Sequence, residues 1–145
     1  MKALIQRVTE ASVEVAGNKT GSIDKGILVL LGVEKGDSEK EAEKLVNKVI
    51  SYRIFPDSDN HMNLSLREIN GDLLVVSQFT LVASTSKGLR PSFSSAATPE
   101  EAEKLYECFV EESKKHCQNV QTGMFGGDMK VSLINDGPVT FLLST

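Results

Sequence analysis

Apolar and polar residues alternate loosely along residues 3–8 and 11–16, and a third short segment ends at Ile23. Alternation with a period of two is typical of strands with one buried face. Residues 26–33 are almost entirely apolar and are flanked by glycines, which predicts a strand buried on both faces. Four strands joined by short turns in the first 33 residues predict an antiparallel sheet that curls towards a barrel.

Two later segments have the period of an amphipathic helix. The first begins with a capping box from Ser38 to Glu41, and the second with Thr98, Pro99 and Glu101. Their apolar positions are Ala42, Leu45, Val46, Val49 and Ile50, and Ala102, Leu105, Tyr106, Phe109 and Val110. Each set forms one stripe. The prediction is an α+β fold in which both helices cover the sheet and carry no chemistry.

A buried strand changes character at residue 77. The segment 73–76 is wholly apolar, whereas Ser77, Gln78 and Thr80 follow as polar residues with Phe79 between them. Buried polar groups cost free energy unless they find partners. Either the strand leaves the core for solvent, or these groups face a substrate.

The loop that follows is small and polar from residue 83 to residue 88, and Arg90 to Phe93 come next. A loop of this length beside a site can act as a lid. A plain surface loop explains the same composition.

A second interrupted strand lies near the C-terminus. Residues 131–134 and 139–143 are strand-like, and residues 135–138 separate them. Pro138 has no N–H, so we expect it at a turn, a bulge or a sheet edge. The Gly137–Pro138 step presents bare main chain to whatever approaches it. The alternative is that Gly137 and Pro138 only form a turn between two strands and have no role in binding.

Together these two stretches resemble the two signature motifs of the D-aminoacyl-tRNA deacylases, and the resemblance covers essentially all 145 residues. The segments that carry it are residues 77–80, 135–140, 1–8, 87–93 and 122–129. Gly127 departs from the family pattern, where Ala is expected, and affects only the rigidity beside Phe125 and Met129.

The resemblance implies a homodimeric hydrolase that cleaves the ester of D-aminoacyl-tRNA and releases free D-amino acid and tRNA. It also implies a cis Gly137–Pro138 bond that is fixed by Arg7 and reaches into the pocket of the partner subunit. Catalysis in the family is assisted by the RNA.

The residues themselves favour a mechanism without a protein nucleophile. The Thr80 hydroxyl is weak without a neighbouring base, and neither motif contains one. The Phe79 and Thr80 amides and the Gln78 side chain could instead stabilise an oxyanion, each by ~2.7–4 kcal/mol. Ser77 completes the predicted floor of the site. A Thr-dependent esterase of small substrates remains the alternative enzyme.

Selection of one mirror image has a physical basis in the same residues. Main-chain carbonyls around Gly137–Pro138 could capture the substrate ammonium and leave no room for an L side chain. Glycine, being achiral, would pass, so glycyl-tRNA is an expected second substrate. Phe125 and Met129 are candidates to hold the terminal adenosine, and ordinary core packing is the alternative for both, above all for Met129.

Composition limits the partners. One domain, residues 1–145, carries a formal net charge of -4, which argues against binding along a DNA duplex but allows contact with a tRNA end. The longest apolar run, residues 27–31, is too short for a membrane span, so cytoplasmic localisation is expected. A noncatalytic dimer that binds a nucleotide or an RNA end is the rival from another class.

No cofactor or metal is expected. Two His and two Cys without a ligand motif make a zinc site improbable. Asp57, Asp59 and Glu68 fit a calcium-loop spacing, but Met62 stands at the required glycine, which indicates a solvated hairpin loop. Cys108 and Cys117 should lie on opposite faces of the second helix as free thiols. His116, on the same predicted helix, is given no role.

Overall fold

The computed structural model describes all 145 residues and contains eight strands and two α-helices. The strands are β1 Lys2–Val15, β2 Asn18–Ile23, β3 Gly26–Gly32, β4 Phe55–Pro56, β5 Met62–Leu64, β6 Asp72–Ser77, β7 Val120–Thr122 and β8 Met129–Ser144. The helices are α1 Glu39–Ser51 and α2 Pro99–Lys114, and a short 3-10 helix spans Phe79–Val82.

The main sheet has six strands and is mixed rather than antiparallel. Its order is β2-β1-β3-β6-β7, and β8 pairs with the other edge of β1. β6 runs parallel to both β3 and β7, so the prediction of a purely antiparallel sheet is wrong at these two ladders. The chain between β3 and β6 carries α1 and the β4–β5 hairpin, which is long enough for a crossover that restores the strand direction.

The sheet curls until its edges nearly meet, as predicted. The first half of β1 pairs with β3 and its second half with β2, while β8 follows β1 along its length. A Cβ on Gly21 in β2 would lie 2.6 Å from the carbonyl oxygen of Thr122 in β7. Such close approach of the two strands leaves the barrel-like sheet almost closed.

β8 is a single strand where two were predicted. Gln6 pairs with Thr140 and Val8 with Asn135, so the four residues 136–139 lie opposite Arg7 alone. The ladder resumes on both sides with register shifts. Pro138 is thus placed in a bulge, one of its three predicted positions, because a missing N–H is tolerated there.

The core has two parts, one on each face of β3 and β6. Residues such as Val29 and Val75 pack beneath the helices, and Leu28 and Leu74 pack inside the curl. Burial on both faces explains the apolar runs in these strands. Both predicted capping boxes form, and the predicted apolar stripes of both helices face the core, with Ala102 half-buried.

α2 is shorter than predicted. It ends at Lys114, so Cys117 and His116 lie beyond it and not on the helix. Both cysteines are free and half-buried, and burial raises the pKa of each thiol. No helix combines the length and the apolar character needed to cross a membrane.

Candidate functional site

The polar end of β6 lies at the rim of the sheet. The Gln78 amide donates to the Leu31 carbonyl oxygen at 2.8 Å, which keeps the strand end beside β3. Ser77 and Gln78 are half-buried, whereas Phe79 and Thr80 are exposed as the chain turns into the 3-10 helix. These four residues are neither fully buried in the core nor all fully exposed. From this position their polar groups can reach a bound molecule.

A cleft of about 500 Å³ opens beside this strand end. Ser77, Gln78 and Phe79 line one side of it, and Phe125 and Met129 line another. Both of the latter are half-buried and also pack against the core, so they take part in core and cleft alike. The structure therefore brings together five of the nine predicted site residues.

The other four predicted residues do not line that cleft. Thr80 follows Phe79 but lies outside the lining, and Arg7, Gly137 and Pro138 belong to the bulge between β1 and β8. Within one chain the predicted site is thus divided between the cleft and the bulge.

Tyr106 is a cleft residue that the sequence analysis assigned to helix packing alone. Its hydroxyl donates to the Val75 carbonyl oxygen at 2.9 Å, and its ring centroid lies 5.7 Å from that of Phe125. The sequence feature that could have indicated this is a tyrosine within an apolar helical stripe, because the hydroxyl of a buried tyrosine needs a hydrogen-bond partner. Ala102 and Pro99 of α2 line the cleft as well.

Burial raises the pKa of Tyr106 from 10.0 to about 12. A raised pKa in the folded state means that the neutral hydroxyl stabilises the fold below pH 10 and that this contribution disappears as the pH rises through 12. Tyr106→Phe removes the hydrogen bond to the Val75 carbonyl oxygen and should therefore lower the free energy of unfolding by ~0.5–1.5 kcal/mol at neutral pH. The loss stays within this range because the Val75 carbonyl oxygen still accepts from the Gly123 amide.

The difference between wild type and Tyr106→Phe should shrink between pH 10 and 12, as measured by urea unfolding across that range. A difference that stays constant across this range would contradict the assignment.

The Thr80 hydroxyl has no base beside it. Its hydrogen-bond partner is the Gln78 side-chain amide, and no carboxylate or imidazole bonds to it. The Phe79 and Thr80 amides lie in the first turn of the 3-10 helix, where no carbonyl of that helix can accept from them. The strand end thus offers hydrogen-bond donors but no activated nucleophile.

The Gly137–Pro138 bulge is held by hydrogen bonds from Arg7 and is itself exposed to solvent. The Arg7 guanidinium donates to the Asp136 carbonyl oxygen at 2.8 Å and to the Ile54 carbonyl oxygen at 2.6 Å. The Arg7 side chain is only 12% exposed, whereas Gly137 and Pro138 are exposed. Their peptide bond is cis. We call residues 136–139 the corner.

The loop between β4 and β5 gathers three possible metal ligands, Asp57, Asp59 and His61, whose ligand atoms lie within 4.8 Å of one another. Asp57 already accepts the His61 and Asp59 amides at 3.0 and 2.9 Å, and these bonds hold its pKa below the usual range. Glu68 lies elsewhere, bonded to Ser65. The loop is a hairpin turn whose side chains cap its own backbone.

Comparison with known proteins assigns this arrangement to a class. The family D-Tyr-tRNA(Tyr) deacylase matches residues 4–144. A D-aminoacyl-tRNA deacylase of Geotalea uraniireducens is 61% identical over 145 residues, covering 100% of this chain and 94% of the relative. One of Pectobacterium atrosepticum is 57% identical, with 100% of both chains covered.

Two solved structures have the same fold. One, named c-Myc DNA Unwinding Element Binding Protein, has a TM-score of 0.95 and 40% identity and covers 100% of this chain and 99% of its own. The other, named as a probable eukaryotic D-amino acid tRNA deacylase, has a TM-score of 0.86 and 16% identity and covers 99% and 98%. The family match and the two relatives define the class as that of the deacylases, enzymes that hydrolyse an ester. Within that class, the chain belongs to the D-Tyr-tRNA(Tyr) deacylase family.

Proposed function

We propose that the protein hydrolyses the ester of D-aminoacyl-tRNA, releases free D-amino acid and tRNA, and spares L-aminoacyl-tRNA. The observation that carries the proposal is a strand end rich in hydrogen-bond donors, bordering an aromatic cleft, in a chain of this family. We expect the protein to need no cofactor and to act in the cytoplasm.

Catalysis relies on the substrate RNA. Water attacks the ester carbonyl carbon, the bond to the ribose oxygen breaks, and a proton passes to that oxygen as the alcohol leaves. The neighbouring ribose 2′-hydroxyl orients the water or relays the proton, since the Thr80 hydroxyl has only the Gln78 amide as its partner. The Gln78 side chain and the Phe79 and Thr80 amides stabilise the oxyanion.

The cleft accommodates the terminal adenosine. Its volume of about 500 Å³ lies within the range of small-ligand sites. Phe125 and Met129 offer apolar contacts to the base, and Phe79, 63% exposed, offers a ring at the cleft mouth. Ser77 completes the floor.

Chirality is selected by the corner of a second copy of the chain. The corner does not line the cleft of its own chain. Arg7 hydrogen-bonds to the Asp136 carbonyl oxygen of the corner, whose Gly137–Pro138 step is exposed. Ile134 and Leu142, 54% and 60% exposed, flank the corner on β8 and supply apolar surface for a homodimer. Carbonyl groups of the incoming corner bind the substrate ammonium and exclude an L side chain.

The test compares D-Tyr-tRNA, L-Tyr-tRNA and Gly-tRNA at equal concentration. We expect hydrolysis of the D ester at a kcat/KM at least ~100-fold above that of the L ester. Gly-tRNA should also be hydrolysed, because glycine has no side chain to exclude. Equal rates on the D and L esters would contradict the proposal. Saturable binding of tRNA without turnover of any ester would instead favour a noncatalytic RNA-end-binding module.

A further inference from the structure

Positive charge is segregated beside the cleft. Residues 73–99 contain no carboxylate, and their only charged side chains are Lys87 and Arg90. The whole chain has a formal net charge of -4, with 20 acidic and 16 basic residues. The segment that carries the candidate catalytic strand end is thus locally cationic in an acidic protein, which favours a polyanionic partner at this place.

Lys87 and Arg90 lie at the tip of a narrow loop. Ser84 and Ser92 exchange two backbone hydrogen bonds, of 2.8 and 2.9 Å, that close the loop at its base. Every residue from 84 to 92 is exposed, and neither cation forms an ion pair or a hydrogen bond within the chain. We call residues 84–92 the cationic loop.

The base of the cationic loop is fixed to the cleft. The ring of Phe93, directly after the loop, packs on that of Phe79 with centroids 5.1 Å apart, and Phe79 lines the cleft. The Ser95 hydroxyl donates to the Val82 carbonyl oxygen at 2.7 Å, and the Lys35 amide donates to the Ser95 carbonyl oxygen at 2.9 Å. The base of the loop that carries the two unpaired cations is therefore held beside Phe79, a residue that lines the cleft.

We propose that Lys87 and Arg90 bind phosphates of the single-stranded RNA that leads to the aminoacylated terminal nucleotide. This inference rests on the proposed function, in which the cleft holds the terminal nucleoside. A strand whose last nucleoside occupies the cleft must leave through its mouth, and the base of the cationic loop is anchored beside the cleft through Phe93 and Phe79. Arginine and lysine are the common phosphate-binding side chains, and both Lys87 and Arg90 are exposed.

The role is one of positioning, because neither side chain lines the cleft that holds the reacting ester in the proposed function. Two phosphate contacts should make the reaction with tRNA salt-dependent. Each contact with a single strand contributes about -0.7 to the slope of log affinity against log salt concentration. A substrate without phosphates should be indifferent to the cationic loop.

The experiment uses the double variant Lys87→Ala/Arg90→Ala. Its control is Lys25→Ala/Lys40→Ala, which removes two other exposed lysines that form no ion pair. Both variants lower the formal net charge by two, from -4 to -6. Deacylation is measured across a series of KCl concentrations on D-Tyr-tRNA and on D-tyrosyl-adenosine, which carries the ester but no phosphate.

We expect the loop variant to lose on the order of 10-fold in kcat/KM on D-Tyr-tRNA at low salt and its salt slope to become shallower by about 1.4. Its activity on D-tyrosyl-adenosine should stay within about twofold of wild type, and the control should match wild type on tRNA. An unchanged salt slope, an equal loss on both substrates, or an equal loss in the control overturns the proposal.

A measurement of RNA binding tests the phosphate contact separately from the proposed hydrolytic function. If wild type hydrolyses neither substrate, the proposed function fails, and the phosphate contact is then judged by fluorescence anisotropy of an uncharged RNA oligonucleotide ending in CCA. A loop variant that binds this oligonucleotide with the affinity and salt slope of wild type overturns the contact. Weaker binding with a shallower slope supports it.

Discussion

D-Tyr-tRNA whose terminal adenosine lacks the 2′-hydroxyl should be deacylated at least ~100-fold more slowly than the normal substrate. Thr80→Ala should cost less than ~10-fold, because it removes one neutral hydrogen bond. This difference is expected from the proposed mechanism, in which the RNA hydroxyl orients the water or moves the proton because no base bonds to the Thr80 hydroxyl.

Single-turnover kinetics with both substrates and both enzymes check this expectation. Thr20→Ala is the matched control and should behave as wild type, because Thr20 is an exposed threonine of β2 with one hydroxyl hydrogen bond, to the Val13 carbonyl oxygen. Near-complete loss in Thr80→Ala, together with normal hydrolysis of the 2′-deoxy substrate, would show that Thr80 is the nucleophile. A burst of released tRNA with a trapped acyl-enzyme would point the same way, towards a Thr-dependent esterase.

Gly137→Ala should damage both the fold and the selection of D substrates. Gly137 has φ +142°, and an added Cβ would lie 2.6 Å from Val139 Cγ2 and 3.1 Å from Arg7 Nη2. An alanine would be strained in this backbone conformation. Its Cβ would also push the Arg7 guanidinium away from the two carbonyl oxygens to which it donates. We expect the free energy of unfolding to fall by ~1–3 kcal/mol and kcat/KM on D-Tyr-tRNA to fall at least ~10-fold.

The control for the strained backbone is Gly17→Ala. Gly17 also has positive φ, +79°, but its Cβ would meet nothing within 4 Å. That variant should lose stability by only ~1 kcal/mol and keep the D-over-L ratio of wild type. Chemical denaturation and deacylation of paired D and L substrates report both quantities.

Arg7→Lys keeps the charge at this position but loses the planar fork that bonds two carbonyl oxygens at once. It should share the activity loss of Gly137→Ala without the steric clash. If both variants retain normal rates and normal discrimination, the corner has no part in substrate selection.

Local signals predicted the helices better than the sheet. Ser38 with Glu41 and Thr98 with Glu101 fixed the starts of both helices, because a capping box is written within four consecutive residues. The end of α2 was misplaced beyond Lys114, since the chain after it has no strong stop signal. The parallel pairing of β3 with β6 depends on where a long crossover returns, which no local pattern records.

The candidate site was predicted in parts rather than as a whole. The polarity change at Ser77 and the candidates Phe125 and Met129 indicated cleft residues that the structure places together. Tyr106 was missed because a helical stripe explains it fully without its hydroxyl. The separation of Gly137–Pro138 from the cleft of the same chain follows from β8 pairing with β1, a contact between the two ends of the sequence.

Between two paired positions, β1 has one residue, Arg7, and β8 has four, residues 136–139. The number of residues in the corner is therefore not set by the pairing of the sheet. Gln6 and Val8 on either side of Arg7 still have partners in β8, Thr140 and Asn135. A residue could therefore be gained or lost within 136–139 without exchanging the inward and outward faces of either flanking ladder. Evolution or an engineer can thus alter the reach of this protrusion while the scaffold beneath it stays the same.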